Sequence, residues 1–377
     1  MTQEFFERPF HMWSGYVLLL LGFILILVLQ LVYYRRLLVK KKGSDVFAPE
    51  RGISILLNIR NESARIESFL MKLMNQNYSN FEIVVVDDFS ADSTLIILGV
   101  MARKYPQIKF SSLNQENRSS EKMAMNLAMK AAKHDWVLFL SPETNLGDPN
   151  YLSTLNSAID EETQAVVGYL NYEAGTGRYN RWSRIERLRA FWNASANQVA
   201  SIPVIYQQIN VLFHKKIYFD AGGFKGIMNA HFAGMELIFN QMQKLNIKYT
   251  IAEGTRLRED KMADRYEYDD LMRKHVRLYR RLPLRKKKLD ILGLMAKLLL
   301  FSGIGFLLFS DLRYWFFFVP VPVILWLTDL FLTKSMLKRL AERKIFLSSL
   351  AYVFVRPVLY LFYSTSTRIQ AHRSKWN

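Results

Sequence analysis

The chain has 377 residues, half of them hydrophobic, with no cysteine and a formal net charge of +18. That length admits one large domain or two ordinary ones, and the lack of cysteine excludes disulfides, cysteine-ligated zinc and thiol catalysis. The positive charge suits nucleic acid or an anionic membrane surface, and its placement favours the membrane: "RRLLVKKK" (35–42) directly follows one apolar run and "RRLPLRKKK" (280–288) directly precedes another.

The first element in chain order is Trp13 to Tyr34, which carries no charged residue. At about 1.5 Å per residue it spans a hydrocarbon core of roughly 30 Å. A cleaved signal peptide is disfavoured, because the run is long, its positive charge lies after it and no small-residue cleavage pattern follows. Residues 1–12 are expected as a short extracytoplasmic N-terminus, 13–34 as a transmembrane helix and 35–50 as a basic linker on the cytoplasmic side.

Residues 51–260 alternate strand and helix signals. "ISILLNI" (53–59), "FEIVVVDDFS", "QIKFSSL" and "DWVLFLSPET" are apolar runs of strand length. Between them, "SARIESFLMKLMNQ" places Ile66, Phe69, Leu70 and Leu73 at helical spacing. "STLIILGVMARKY" and "SEKMAMNLAMKAAK" also read as helices. Continuous apolar strands alternating with helices predict an α/β domain with a mostly parallel sheet covered on both faces. Ligands then bind beyond the carboxyl ends of the strands. "RNE", "DDFS" and "SPET" all fall at such ends.

Residues 261–288 predict a basic interfacial helix region, and 289–377 a C-terminal membrane region with two to three transmembrane or re-entrant segments. Ile291–Phe309 and Tyr314–Phe331 are candidate spans. "LTKSMLKRLAERKIF" reads as a basic interfacial piece. Phe346–Tyr363 is apolar but interrupted by Arg356 and Pro357. It either spans, which puts the basic C-terminus outside, or lies at the interface, which keeps it inside.

The stretch "ISILLNIRNESARIESFLMKLMNQNYSNFEIVVVDDFSADST" resembles the opening of the family 2 glycosyltransferases. "SEKMAMNLAMKAAKHDWVLFL", "GYLNYEAG", "INVLFHKKIYFDAGGF" and "GMELIFNQM" extend the similarity over roughly residues 50–280. The resemblance implies a nucleotide-sugar-binding α/β GT-A domain flanked by transmembrane helices. It implies Arg60, Asn61 and Glu62 as the first nucleotide-contacting turn, Asp87 and Asp88 at the base, and Lys122 near the donor diphosphate. A carboxylate accepts a hydrogen bond from a base N–H, and a lysine screens phosphate charge.

Three motifs depart from the family pattern. The Asp-x-Asp position, which holds Mg²⁺ or Mn²⁺, reads Ser141-Pro142-Glu143, so Ser141 and Glu143 are the implied metal residues, with a single carboxylate between them. The catalytic-base position reads Met235-Glu236-Leu237, which implies Glu236 as general base. The Gln-x-x-Arg-Trp position is closest to "LMRKH", implying Lys274 and His275 at the acceptor interface. Two functions follow. One is an inverting transferase moving a sugar from a nucleotide-sugar donor to a lipid or cell-surface glycan, in the inner membrane, with its α/β domain on the cytoplasmic side. The other is a catalytically inactive membrane subunit that binds or scaffolds partner subunits. Membrane lipid is an expected partner and nucleic acid is not.

Overall fold

The computed structural model describes residues 10–38, 49–115, 120–199, 202–310 and 318–373. The expectations for residues 1–9, for most of the basic linker (39–48 of 35–50) and for the start of the Tyr314–Phe331 span lie outside these. The described residues fall into two units, one within 1–41 and 283–346 and the other within 42–282 and 347–377.

The chain opens with helix α1 (Phe10–Leu38). The α/β unit then begins with β1 (Ile53–Ile59), α2 (Ile66–Met74), β2 (Phe81–Asp87), α3 (Thr94–Lys104), β3 (Ile108–Ser112), α4 (Ser120–Ala131) and β4 (Trp136–Leu140). These are the strands and helices that the apolar runs predict. It continues through β5 (Thr144–Asn145), α5 (Tyr151–Ser157), β6 (Ala165–Gly168), β7 (Leu170–Tyr172), α6 (Arg178–Val199), β8 (Val211–His214), α7 (Lys216–Asp220) and α8 (Met235–Gln241). β9 (Ile247–Thr250), β10 (Leu257–Glu259) and α9 (Arg265–Arg281) complete it before the chain reaches the remaining apolar helices.

The main sheet has seven strands in the order β3-β2-β1-β4-β8-β6-β9. β1 pairs parallel with both β2 and β4, and β2 with β3. β8 runs antiparallel to β4 and to β6. β2 and β4 are buried at every position, which explains why they read as unbroken apolar runs rather than alternating ones. Burying each large aliphatic side chain, such as Ile55, Leu57, Ile83 or Val85, contributes about 1.5–3 kcal/mol.

A second, three-stranded sheet has the order β5-β10-β7. β10 pairs antiparallel with β5, setting Glu259 opposite Thr144, and parallel with β7. This short ladder draws the segment after residue 259 onto the turn that follows β4. Helix α9 starts at a side-chain N-cap: Asp264 accepts a hydrogen bond from the Glu267 N–H at 2.9 Å. Its buried face (Tyr268, Leu271, Met272, His275, Val276) packs on α6. Of the basic region 261–288, the part up to Leu282 therefore belongs to the α/β unit, and 283–288 fall in the other unit.

The apolar helices that follow are α10 (Lys288–Ser310), α11 (Pro320–Arg339) and α12 (Phe346–Arg373). The segments Trp13–Val32, Leu284–Phe309, Pro320–Arg339 and Phe346–Thr367 are long and apolar enough to cross a membrane. Glycines let α1 and α10 approach closely: a Cβ at Gly22 would lie 2.5 Å from Leu300 N, and one at Gly303 2.6 Å from Leu19 N. The basic piece expected after Phe331 is not separate, because α11 runs unbroken through Lys334, Lys338 and Arg339.

Helix α12 belongs to the α/β unit from Leu347 onward. Arg356 donates to both carboxylate oxygens of Glu186 on α6, at 2.8 Å each. Tyr352 donates to the same carboxylate at 3.1 Å. The opposite side of α12 exposes Leu347, Phe354, Val358 and Leu361.

Candidate active site

The site begins where β1 and β2 end side by side. After β1 the chain turns at Asn61, which holds a positive φ of 54°. The Asn61 N–H donates to Ser90 Oγ at 2.8 Å, and its side-chain oxygen accepts from the Ala91 N–H at 2.8 Å. The Glu62 N–H donates to Thr94 Oγ1 at 2.9 Å, and the Ser63 N–H to Asp92 at 3.1 Å. These bonds fasten the "RNES" turn to the "DDFSADST" turn. Asp87 accepts from the Ser90 N–H at 3.0 Å and from Ser112 Oγ at 3.1 Å, and also holds the Ser90 hydroxyl. Asn61 and Asp87 thus build the rim itself. Asp88 is buried at the next position, its N–H donating to Ile59 O at 2.7 Å, while Arg60 is exposed beside it. Glu62 is part-buried. Burial first, and then the nearby Glu143 carboxylate, raises its pKa above the ordinary glutamate value.

The turn after β4 carries Ser141 and Glu143. The Glu143 N–H donates to Ser141 Oγ at 3.3 Å, and Thr144 Oγ1 donates to Ser141 O at 2.6 Å. The Glu143 carbonyl accepts from the Asp260 N–H at 2.6 Å. The carboxylate meets an ammonium: Lys261 Nζ lies 3.1 Å from Oε2 and 3.4 Å from Oε1. The same ammonium is 3.0 Å from Glu267 Oε1. Burial works against charge on Lys261, but Glu143 and Glu267 outweigh it and hold the lysine above its ordinary pKa. The expected Mg²⁺ or Mn²⁺ does not fit these residues. The single carboxylate at the metal position is paired with a cation that would repel a second one, and Ser141 adds only a neutral oxygen. Among the described residues, no group of three or more His, Asp or Glu side chains is gathered to hold an ion.

Glu236 stands in the first turn of α8 with no exposed surface. Its Oε2 accepts from the Gly234 N–H at 3.0 Å, and its Oε1 is 2.6 Å from Lys274 Nζ. Met235 and Leu237 on either side are also buried. Lys274 lines a cavity of about 980 Å³, together with Arg273, Arg277, Arg280, Arg281, Asn229 and Phe232. Arg277 and Arg281 lie over the Phe232 ring at 5.7 and 5.1 Å from its centroid. The far wall of the cavity includes Tyr172, Glu259 and Glu267. Glu267 and Lys274 are two turns apart on one face of α9, a spacing of about 10 Å. One helix therefore links the Glu143 position to the Glu236 position along the cavity wall.

The remaining expected residues sit less directly. Lys122 is buried, and its ammonium donates to Ala230 O at 2.5 Å and Met228 O at 3.5 Å. Burial lowers its pKa against the opposing pull of Glu121. His275 lines the cavity but bonds Glu186 at 3.3 Å, and burial lowers its pKa. Burial also opposes charge on Glu186, yet the Arg356 guanidinium outweighs it and holds that carboxyl well below the usual range. Sequence reasoning missed Lys261, Glu267 and the paired Arg277 and Arg281. The i, i+4 arginines of "RLYRR" were the one available signal.

Residues 54–233 match the family described as "Glycosyl transferase family 2". A poly-beta-1,6-N-acetyl-D-glucosamine synthase of Staphylococcus aureus (strain COL) is 33% identical over 129 residues, 34% of this chain and 31% of that protein. A poly(ribitol-phosphate) beta-glucosyltransferase of Bacillus spizizenii is 29% identical over 127 residues, 33% of this chain and 20% of that protein. This chain spans less than half the length of these curated relatives. In fold it is similar to a mannosyltransferase from Pyrobaculum calidifontis solved with GDP-Man and Mn²⁺, with a TM-score of 0.51 and 14% identity over 88% of this chain and 98% of that one. The motifs at the ends of β1 and β2, the mostly parallel sheet and these matches agree: residues 54–233 carry a glycosyl transferase family 2 domain of GT-A fold, with apolar helices before and after it in the chain.

Proposed function

We propose that this chain is an inverting glycosyltransferase of the inner membrane, with its GT-A domain on the cytoplasmic side. It transfers a sugar from a nucleoside diphosphate donor to a hydroxyl of a lipid or cell-surface glycan. The observation that carries this reading is Glu236: a fully buried carboxylate in ion-pair contact with Lys274, which lines the large basic cavity. The names of the relatives, a glucosamine-polymer synthase and a polyol-phosphate glucosyltransferase, support sugar transfer to a surface glycan.

In this reading the donor base lies against Asp88, with Arg60 and Glu62 on the adjoining turn. Asn61 and Asp87 act by holding that turn rigid. Lys122 supplies positive charge towards the diphosphate. The acceptor hydroxyl enters from the cavity beside Lys274 and His275. Its oxygen attacks the anomeric carbon while its proton passes to Glu236. The bond from that carbon to the phosphate oxygen breaks, and its electron pair leaves with the nucleoside diphosphate. No step in this sequence passes through a metal.

The test is turnover. Purified full-length chain in lipid nanodiscs is incubated with UDP- and GDP-sugars and a membrane lipid extract, and free nucleoside diphosphate is measured. One donor is expected to give acceptor-dependent release. No release from any donor overturns the enzyme reading in favour of the non-catalytic subunit.

A further inference from the structure

We propose that Lys261 is a built-in counter-cation for the donor diphosphate, standing where the family resemblance places a divalent ion, so that donor binding needs no metal. This rests on the reading of the β1, β2 and β4 ends as the donor site.

The two-residue ladder of β5 and β10 sets Glu259 opposite Thr144, and the Asp260 N–H closes on Glu143 O at 2.6 Å. The next residue, Lys261, is thereby delivered to the side chain of Glu143, although the two lie 118 positions apart in sequence. Two carboxylates surround its ammonium, Glu143 at 3.1 Å and Glu267 at 3.0 Å. A lysine ammonium carries three N–H donors and no acceptor. Glu143 and Glu267 fix the head group, and on donor binding one of its N–H groups turns to a phosphate oxygen.

The position suits the chemistry. When the sugar leaves, negative charge grows on the phosphate oxygen that held it, and a fixed ammonium nearby stabilises that charge without rearranging. Lys261 is also braced from two elements, since Glu143 follows β4 and Glu267 opens α9 behind its cap at Asp264. A lysine that merely clasped β10 to the β4 turn would account for the ion pairs. It would not make nucleotide affinity depend on the lysine.

The experiment is calorimetric titration of UDP and of GDP into the full-length chain in nanodiscs, with EDTA in one arm and MnCl₂ in the other. The native chain is expected to bind one nucleotide equally well in both arms. Lys261→Met is expected to weaken binding in EDTA about tenfold or more, the effect of losing one charge-assisted hydrogen bond. Lys261→Arg keeps the charge and is expected to retain most of the affinity. The proposal is overturned if the native chain binds only with Mn²⁺, or if Lys261→Met binds like the native chain. Should Lys261→Met not fold, the native comparison and Lys261→Arg decide the matter. If neither nucleotide binds in either arm, the donor site itself is misassigned and this inference falls with it.

Discussion

Lys274 holds its ammonium 2.6 Å from Oε1 of Glu236, a carboxylate sealed from solvent. Lys274 is the member of the pair that lines the cavity, while Glu236 has no exposed surface. Removing the lysine leaves a buried charge without compensation. Lys274→Met is therefore expected to lower the stability of the domain by about 1–3 kcal/mol, since the lysine is partly exposed, and to reduce turnover. Thermal unfolding and nucleoside diphosphate release read the two effects separately.

Asp87 and Asp88 are neighbours with different tasks, and substitution should separate them. Asp87 is committed to Ser90 and Ser112. Asp87→Ala strands these donors in a buried turn and is expected to cost about 1–3 kcal/mol of stability. Asp88→Ala is expected to weaken nucleotide binding about tenfold. Equal effects of the two substitutions on nucleotide affinity would contradict the division of roles.

The place of both acids on the rim was legible beforehand, and the reason is local, whereas the division between them was not. Fully buried parallel strands produce unbroken apolar runs, so β1, β2 and β4 stand out, and the polar residues at their ends inherit a position on the rim. What sequence could not supply depends on long-range ladders. The meeting of Lys261 with Glu143 rests on a two-residue strand pairing too short to leave a periodic signal. Glu186 and Arg356 meet across 170 positions. The arginine looked like an interruption in a membrane span, and it is the point at which α12 is fixed to the domain.

That fixing is testable. Glu186 takes two bonds from Arg356, one from Tyr352 and a contact from His275, all in a buried setting. Arg356→Ala leaves the carboxylate buried and unpaired, and about 3–5 kcal/mol of destabilisation is expected. Replacing both partners by apolar residues of similar size should recover most of that loss. Chemical denaturation of the two variants distinguishes a buried pair from a solvated one, for which Arg356→Ala would change stability by about 1 kcal/mol or less.

The charge on Lys261 sets a pH dependence. Its folded pKa lies above the ordinary value of 10.5, because Glu143 and Glu267 outweigh the effect of burial. A group shifted upward on folding contributes stability that is complete below its unfolded pKa and is lost only as pH rises through the folded one. The difference in melting temperature between the native chain and Lys261→Met is therefore expected to be constant from about pH 6 to about pH 9. It should shrink only in the alkaline range above the ordinary lysine value. A difference that fades near neutrality would mean that the ion pairs with Glu143 and Glu267 are not formed.

The most direct test of the account is Glu236→Gln in the turnover assay, with nucleotide binding measured on the same preparation. The glutamine keeps the shape and removes the proton acceptor. Acceptor-dependent release of nucleoside diphosphate is expected to fall about 10²-fold or more, with nucleotide affinity unchanged. Native turnover in the Glu236→Gln chain would contradict the assignment of the general base and, with it, the reading of this cavity as a site of sugar transfer.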